Sequence, residues 1–170
     1  MIRPPRENEP GARRAGRLRA VDDAPEPVFS HFGICVSDLK RSLAFYCGAF
    51  GFEEAESHLI GTEFARLMDL PDVAVTSQFI RKGPTAIELL AFSEPAPFGE
   101  RERRAVNQLG LTHLSFRVRD VAATTARVEE LGGAVVESSR TTLDFGGAPL
   151  EFVYCTDPDG VRVELMNLGG

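Results

Sequence analysis

His31-Phe32-Gly33-Ile34-Cys35-Val36-Ser37-Asp38-Leu39 returns as His113-Leu114-Ser115-Phe116-Arg117-Val118-Arg119-Asp120-Val121, with His, Val, Asp and an aliphatic residue aligned at an offset of 82 positions. A second correspondence follows each copy: Ile87-Glu88-Leu89-Leu90 and Val163-Glu164-Leu165-Met166 stand 76 positions apart. Self-similarity of this kind marks a duplicated structural unit.

Working outward from the first copy, Phe29 to Val36 alternates on a two-residue period, as a strand does. Ser37-Asp38 then offers a helix N-cap, and Leu39, Leu43, Tyr46 and Phe50 fall on one helical face. Gly48 and Gly51 favour a stop after residues 38–49. Phe52 to Leu59, Val73 to Arg81 and Thr85 to Phe92 read as strands, and Thr62 to Met68 as a short helix ended by Pro71. The order is βαβββ. In the second copy Leu111 to Arg119 reads as a strand, and Asp120 caps a helix that ends at Gly132-Gly133. Ala134 to Ser138, Leu150 to Thr156 and Val161 to Leu168 read as strands, the last two joined by the turn Asp157-Pro158-Asp159-Gly160.

The fold class expected is therefore α+β. Two tandem βαβββ modules form a curved mixed sheet around a cleft, with helices outside. Module 1 spans 29–92, a polar connector 93–110 and module 2 111–168. Residues 1–28 form a leader rich in Pro, Gly, Ala and Arg, too poor in large apolar side chains to offset its own ordering.

Side chains alternate faces along a strand. Phe32, Ile34 and Val36 share the helix-packing face of the first strand, opposite His31. Leu114, Phe116 and Val118 lie opposite His113, Val163 and Leu165 opposite Glu164, and Ile87 and Leu89 opposite Glu88. All four polar residues thus fall on the non-helix face, which only a curling sheet gathers. One strand His or one strand Glu is ordinarily a half-buried or exposed side chain. Their duplication in phase points to a metal site made of His31, Glu88, His113 and Glu164. Two imidazoles and two carboxylates suit one divalent transition metal (Zn, Ni, Co, Mn or Fe), and coordination beyond four leaves room for substrate.

Composition narrows the alternatives. At 43% apolar residues the 170-residue chain can build a real core. No apolar run reaches membrane-spanning length, and no secretory h-region opens the chain, so neither membrane insertion nor export is expected. Three scattered cysteines without a CxxC pair argue against a disulfide framework and fit a cytoplasmic setting. A net charge of −6 argues against nucleic acid as a partner.

His31-x-Gly33-Ile34-x-Val36-x-Asp38-Leu39 followed by Phe45-Tyr46, then Ile87-Glu88-Leu89, Leu111-Thr112-His113-Leu114-Ser115-Phe116, and Asp157-Pro158-Asp159-Gly160-Val161-Arg162-Val163-Glu164-Leu165, is similar to the vicinal oxygen chelate superfamily. That superfamily includes glyoxalase I, methylmalonyl-CoA epimerase, extradiol dioxygenases, fosfomycin-modifying transferases and bleomycin resistance proteins. The resemblance covers about residues 29–168. It implies that His31, Glu88, His113 and Glu164 match the ligand set of bacterial glyoxalase I. It further implies a metal-dependent isomerase or lyase of glyoxalase or epimerase type, acting on a small oxygen-chelating metabolite through an enolate with Glu88 or Glu164 as base. The alternatives are an Fe(II) extradiol-type dioxygenase and a non-enzymatic drug- or metabolite-binding resistance protein. Relatives are often homodimers, some with sites shared between chains. Of the remaining polar residues on the His113 face, Arg117 is a candidate contact for an anionic substrate group, and Ser115 is a small neighbour of the substrate space.

Overall fold

The computed structural model describes residues 26–169, so all but the last three residues of the 1–28 leader lie outside it. The elements are β1 (Phe32–Cys35), α1 (Leu39–Phe50), β2 (Glu53–Ile60), β3 (Ala74–Lys82), β4 (Thr85–Glu94), β5 (Leu114–Arg117), α2 (Val121–Glu130), β6 (Ala134–Leu143), β7 (Leu150–Thr156) and β8 (Arg162–Asn167). The βαβββ order therefore occurs twice. The segment read as a short helix after β2 is a single 3₁₀ turn at Thr62–Phe64.

Each helix starts for the reason the sequence suggests. Asp38 accepts a hydrogen bond from the Arg41 amide at 3.0 Å, and Asp120 accepts one from the Ala123 amide at 2.8 Å. Each satisfies a donor that the first turn leaves without a helical partner. Gly51, at φ 68°, ends α1 in the left-handed conformation that glycine adopts without a side-chain clash. The buried face of α1 is Ser42, Phe45, Tyr46 and Phe50; Leu39 and Leu43 only flank it.

The strands form two four-stranded sheets, ordered β1-β4-β3-β2 and β5-β8-β7-β6. In each, the first strand runs parallel to the last and every other neighbour is antiparallel. The expected curved sheet is thus realised within one chain as two sheets with no ladder between them. β1 and β5 each hold an edge, with one side of the backbone unpaired by any other described strand.

Among the described residues, one large apolar core unites the modules, beside a smaller cluster of Ala65, Val73 and Val75. It takes Ile34, Ile87 and Leu89 from the first sheet, Val153, Val163 and Leu165 from the second, Phe45, Tyr46 and Phe50 from α1 and Val128 from α2. The Phe50 and Phe116 rings stack across the module boundary at 4.1 Å with a 5° interplanar angle. No described helix is long and apolar enough to cross a membrane.

Candidate functional site

His31 and His113 each stand one residue before a strand that is shorter than the alternation suggested, so both occupy the mouth of a parallel strand pair. The parallel register sets Gly33 beside Glu88 and Ser115 beside Glu164. In consequence His31 Nε2 lies 3.1 Å from Glu88 Oε2, and His113 Nε2 lies 3.4 Å from Glu164 Oε2. All four side chains are partly accessible, from 16% for Glu88 to 33% for His31.

The surroundings of the two pairs repeat as well. Ser30 Oγ lies 2.9 Å from His31 Nδ1, and Thr112 Oγ1 lies 2.9 Å from His113 Nδ1. A hydroxyl accepting from Nδ1–H leaves the Nε2 lone pair facing the carboxylate, the tautomer a metal needs. Phe79 sits directly across the β3–β4 ladder from Glu88, and Tyr154 directly across the β7–β8 ladder from Glu164. Each aromatic ring meets the neighbouring imidazole edge-to-face, at 5.1 Å for His31–Phe79 and 5.5 Å for His113–Tyr154.

The carboxylates are held by hydroxyls from different strands. Ser115 donates to Glu164 Oε2 at 2.7 Å from β5. Its counterpart in module 1 is Gly33, which has no hydroxyl. There Ser77 on β3, fully buried, donates to Glu88 Oε1 at 2.5 Å. Ser30, Ser77, Phe79, Thr112 and Tyr154 were not singled out from sequence. No local sequence signal marks Phe79 or Tyr154, because each comes to lie opposite a candidate glutamate only through the antiparallel register. Ser115, expected near the substrate, is engaged with Glu164. Arg117 is exposed on β5 and makes no hydrogen bond or ion pair among the described residues.

The donor chemistry of each pair fits a divalent transition metal. Ligand bonds of about 2.0–2.2 Å separated by tetrahedral or octahedral angles place donor atoms about 2.8–3.6 Å apart, a range that includes the spacing of both pairs. Among the described residues, however, no three His, Cys, Asp or Glu side chains lie close enough to hold one ion. The chain thus brings the four candidates together as two pairs of one imidazole and one carboxylate.

The turn Asp157-Pro158-Asp159-Gly160 has a structural task beside the site. Asp159 accepts from the Ser37 amide at 2.9 Å and from Arg41 Nη2 at 2.8 Å, tying module 2 to the entry of α1. Asp157 accepts from Tyr46 Oη at 2.8 Å and from the Asp159 and Val161 amides. Burial pushes the Asp157 carboxyl above its usual range despite those hydrogen bonds, and burial followed by the Asp157 charge raises the Tyr46 phenol well above 10.

Residues 28–165 match the family model described as Glyoxalase/Bleomycin resistance protein/Dioxygenase superfamily. The chain is 31% identical to an ethylmalonyl-CoA/methylmalonyl-CoA epimerase of Cereibacter sphaeroides, over 80% of this chain and 94% of the relative. It is 30% identical to a lactoylglutathione lyase of Pseudomonas aeruginosa, over 83% of this chain and 82% of that protein. A glyoxalase family protein from Bacillus cereus has a similar fold, with a TM-score of 0.74, 19% identity, and coverage of 87% of this chain and 98% of its own.

Proposed function

Because the chain belongs to the Glyoxalase/Bleomycin resistance protein/Dioxygenase superfamily, we propose that it is a divalent-metal-dependent isomerase or lyase acting on a small oxygen-chelating metabolite. The observation that carries this reading is the pair of His–Glu contacts at 3.1 and 3.4 Å, placed at corresponding points of the two modules. Similarity to an epimerase and to a lactoylglutathione lyase supports the same reaction class.

His31 with Glu88, and His113 with Glu164, are the proposed ligands of one transition metal. Each pair supplies half of a four-donor set, and a homodimer in which module 1 of one chain meets module 2 of its partner completes it. The unpaired edges of β1 and β5 lie next to the two histidines and suit such an approach. A bound divalent metal would supply Lewis acidity to two neighbouring substrate oxygens. The residues of the chain do the rest. Glu88 or Glu164 takes a proton from the carbon next to a carbonyl and returns it to the same or the adjacent carbon. Ser77, donating to Glu88 Oε1, and Ser115, donating to Glu164 Oε2, hold those carboxylates and fix their direction. Arg117, exposed on the strand that follows His113, is the proposed contact for a charged part of the substrate.

The test is subunit complementation. His31→Ala and His113→Ala are prepared separately, mixed and allowed to exchange subunits, and metal is counted per dimer. A site shared between chains leaves one intact site in the mixed dimer and none in either parent. A site contained in one chain leaves none in any of them, which removes the shared arrangement. Wild-type protein that takes up no metal on titration removes the enzyme reading and favours a binding protein.

A further inference from the structure

Arg162, the first residue of β8, is a buried cation without a counter-charge. It is only 7% exposed. Its guanidinium lies over the Tyr154 ring at 4.9 Å, and Nη2 donates to the Arg104 carbonyl of the connector. Its fork carries five N–H donors, and this is its one hydrogen bond among the described residues. No described carboxylate forms an ion pair with it. A mostly buried cation with no carboxylate partner favours an anion that joins it.

The space in front of it is built. A cleft of about 310 Å³ is lined by Arg162, Arg104, Gly33, Cys35, Thr112 and His113. The connector forms one wall and is held in place at two points. Arg162 grips the Arg104 carbonyl, and a Cβ at Gly160 would come within 2.9 Å of the Arg101 carbonyl oxygen, so the connector backbone rests directly on the turn. Three acids also line the cleft. Asp159 is occupied by Ser37, Arg41 and Arg101. Glu100 and Glu102 are exposed on the connector and pair with no described cation.

We propose that this cleft is an oxyanion site, in which the Arg162 fork receives a carboxylate or phosphate group of a small molecule beside His113. A planar guanidinium matches either group with two parallel hydrogen bonds, which an ammonium cannot do. Tyr154 braces the fork on one face and meets His113 by its edge, so the anion site and the second His–Glu pair share one aromatic side chain. That the anion belongs to the substrate of the metal centre rests on the reading above; the binding itself does not.

The experiment uses full-length protein stripped of metal, so its outcome is separate from metal uptake. Inorganic phosphate and malonate are titrated in parallel at constant ionic strength, with sodium chloride as control. Thermal midpoint and the NMR shift of the Arg162 side-chain Nε–H are followed, and so is alkylation of Cys35, which lines the same cleft. Saturable stabilisation by either probe, with a shift of the Arg162 signal and slower Cys35 labelling, is expected. Phosphate alone assigns a phosphate group and malonate alone a carboxylate. Arg162→Lys should bind about tenfold more weakly or worse, since it keeps charge but not the fork. If Arg162→Lys does not fold, the wild-type NMR titration decides by itself. No saturable response to either probe, or equal affinity in Arg162→Lys, would show that Arg162 serves only to pin the connector.

Discussion

Tyr46 donates its hydroxyl hydrogen to Asp157 at 2.8 Å, joining the middle of α1 in module 1 to the last turn of module 2 inside the shared core. Tyr46 is fully buried and Asp157 is 2% exposed, so neither group has water to fall back on. Tyr46→Phe should therefore cost about 1–3 kcal/mol, the usual penalty for orphaning one buried acceptor. Urea denaturation of the two proteins checks this; equal midpoints would mean that the bond contributes nothing net.

The same carboxyl makes stability depend on pH. Its folded pKa is raised by burial above the ordinary 3.8. The contribution is therefore fully present below about pH 3.8 and is lost as pH rises through the raised folded value. Asp157→Asn keeps an acceptor for the two turn amides and places a donor toward Tyr46. It should be relatively more stable than wild type at pH 7 than at pH 4. A constant difference across that range would sink the assignment.

Gly133, between α2 and β6, stands where a side chain has no room. A Cβ there would lie 2.5 Å from the Thr156 carbonyl oxygen and 2.7 Å from Phe45 Cε2. Backbone cannot step aside, so Gly133→Ala should destabilise by about 1–3 kcal/mol, as overpacked sites do. Gly147, with open space around its Cβ position, is the control and should tolerate alanine with little change. Thermal denaturation of both variants makes the comparison.

Ser77 and Ser115 orient the two candidate glutamates from opposite neighbouring strands. If those glutamates hold a metal, Ser77→Ala and Ser115→Ala should each weaken affinity about 10–100-fold, the common effect of removing an outer partner of a ligand. Competition with a metal indicator measures this. Unchanged affinity in both would separate the serines from metal binding.

Cys35 and Cys155 should differ sharply in reactivity. Burial pushes the Cys155 thiol up to about 11, and its side chain is fully enclosed, whereas Cys35 is exposed. Because the thiolate is the reactive form, iodoacetamide at pH 8 should modify Cys35 in the native protein and reach Cys155 only after unfolding. Mass spectrometry of timed samples reads the order; early labelling of Cys155 would contradict its burial.

The duplicated pattern by itself determined the α+β class, the βαβββ order and both helix starts, because alternation, Asp caps and glycine stops are local properties that short stretches of chain express without help. It also determined which face each candidate takes, since strand parity needs no partner: His31, Glu88, His113 and Glu164 could be grouped before any contact was known. Strand ends were less legible: β1 and β5 are each four residues long, although their neighbours β4 and β8 run past them at both ends. Tertiary structure alone decided the rest. Which hydroxyl holds each glutamate depends on strand register, so Ser77 answers for Glu88 where Gly33 cannot. Phe79 and Tyr154 meet the histidines only through cross-strand pairing, and Arg162 becomes a buried, unpaired cation only when the connector folds over it. The division of the four candidate ligands into two pairs has the same origin. Parity tells which side of a strand a residue occupies, while the distance between two sheets is set by how their helices and core side chains pack.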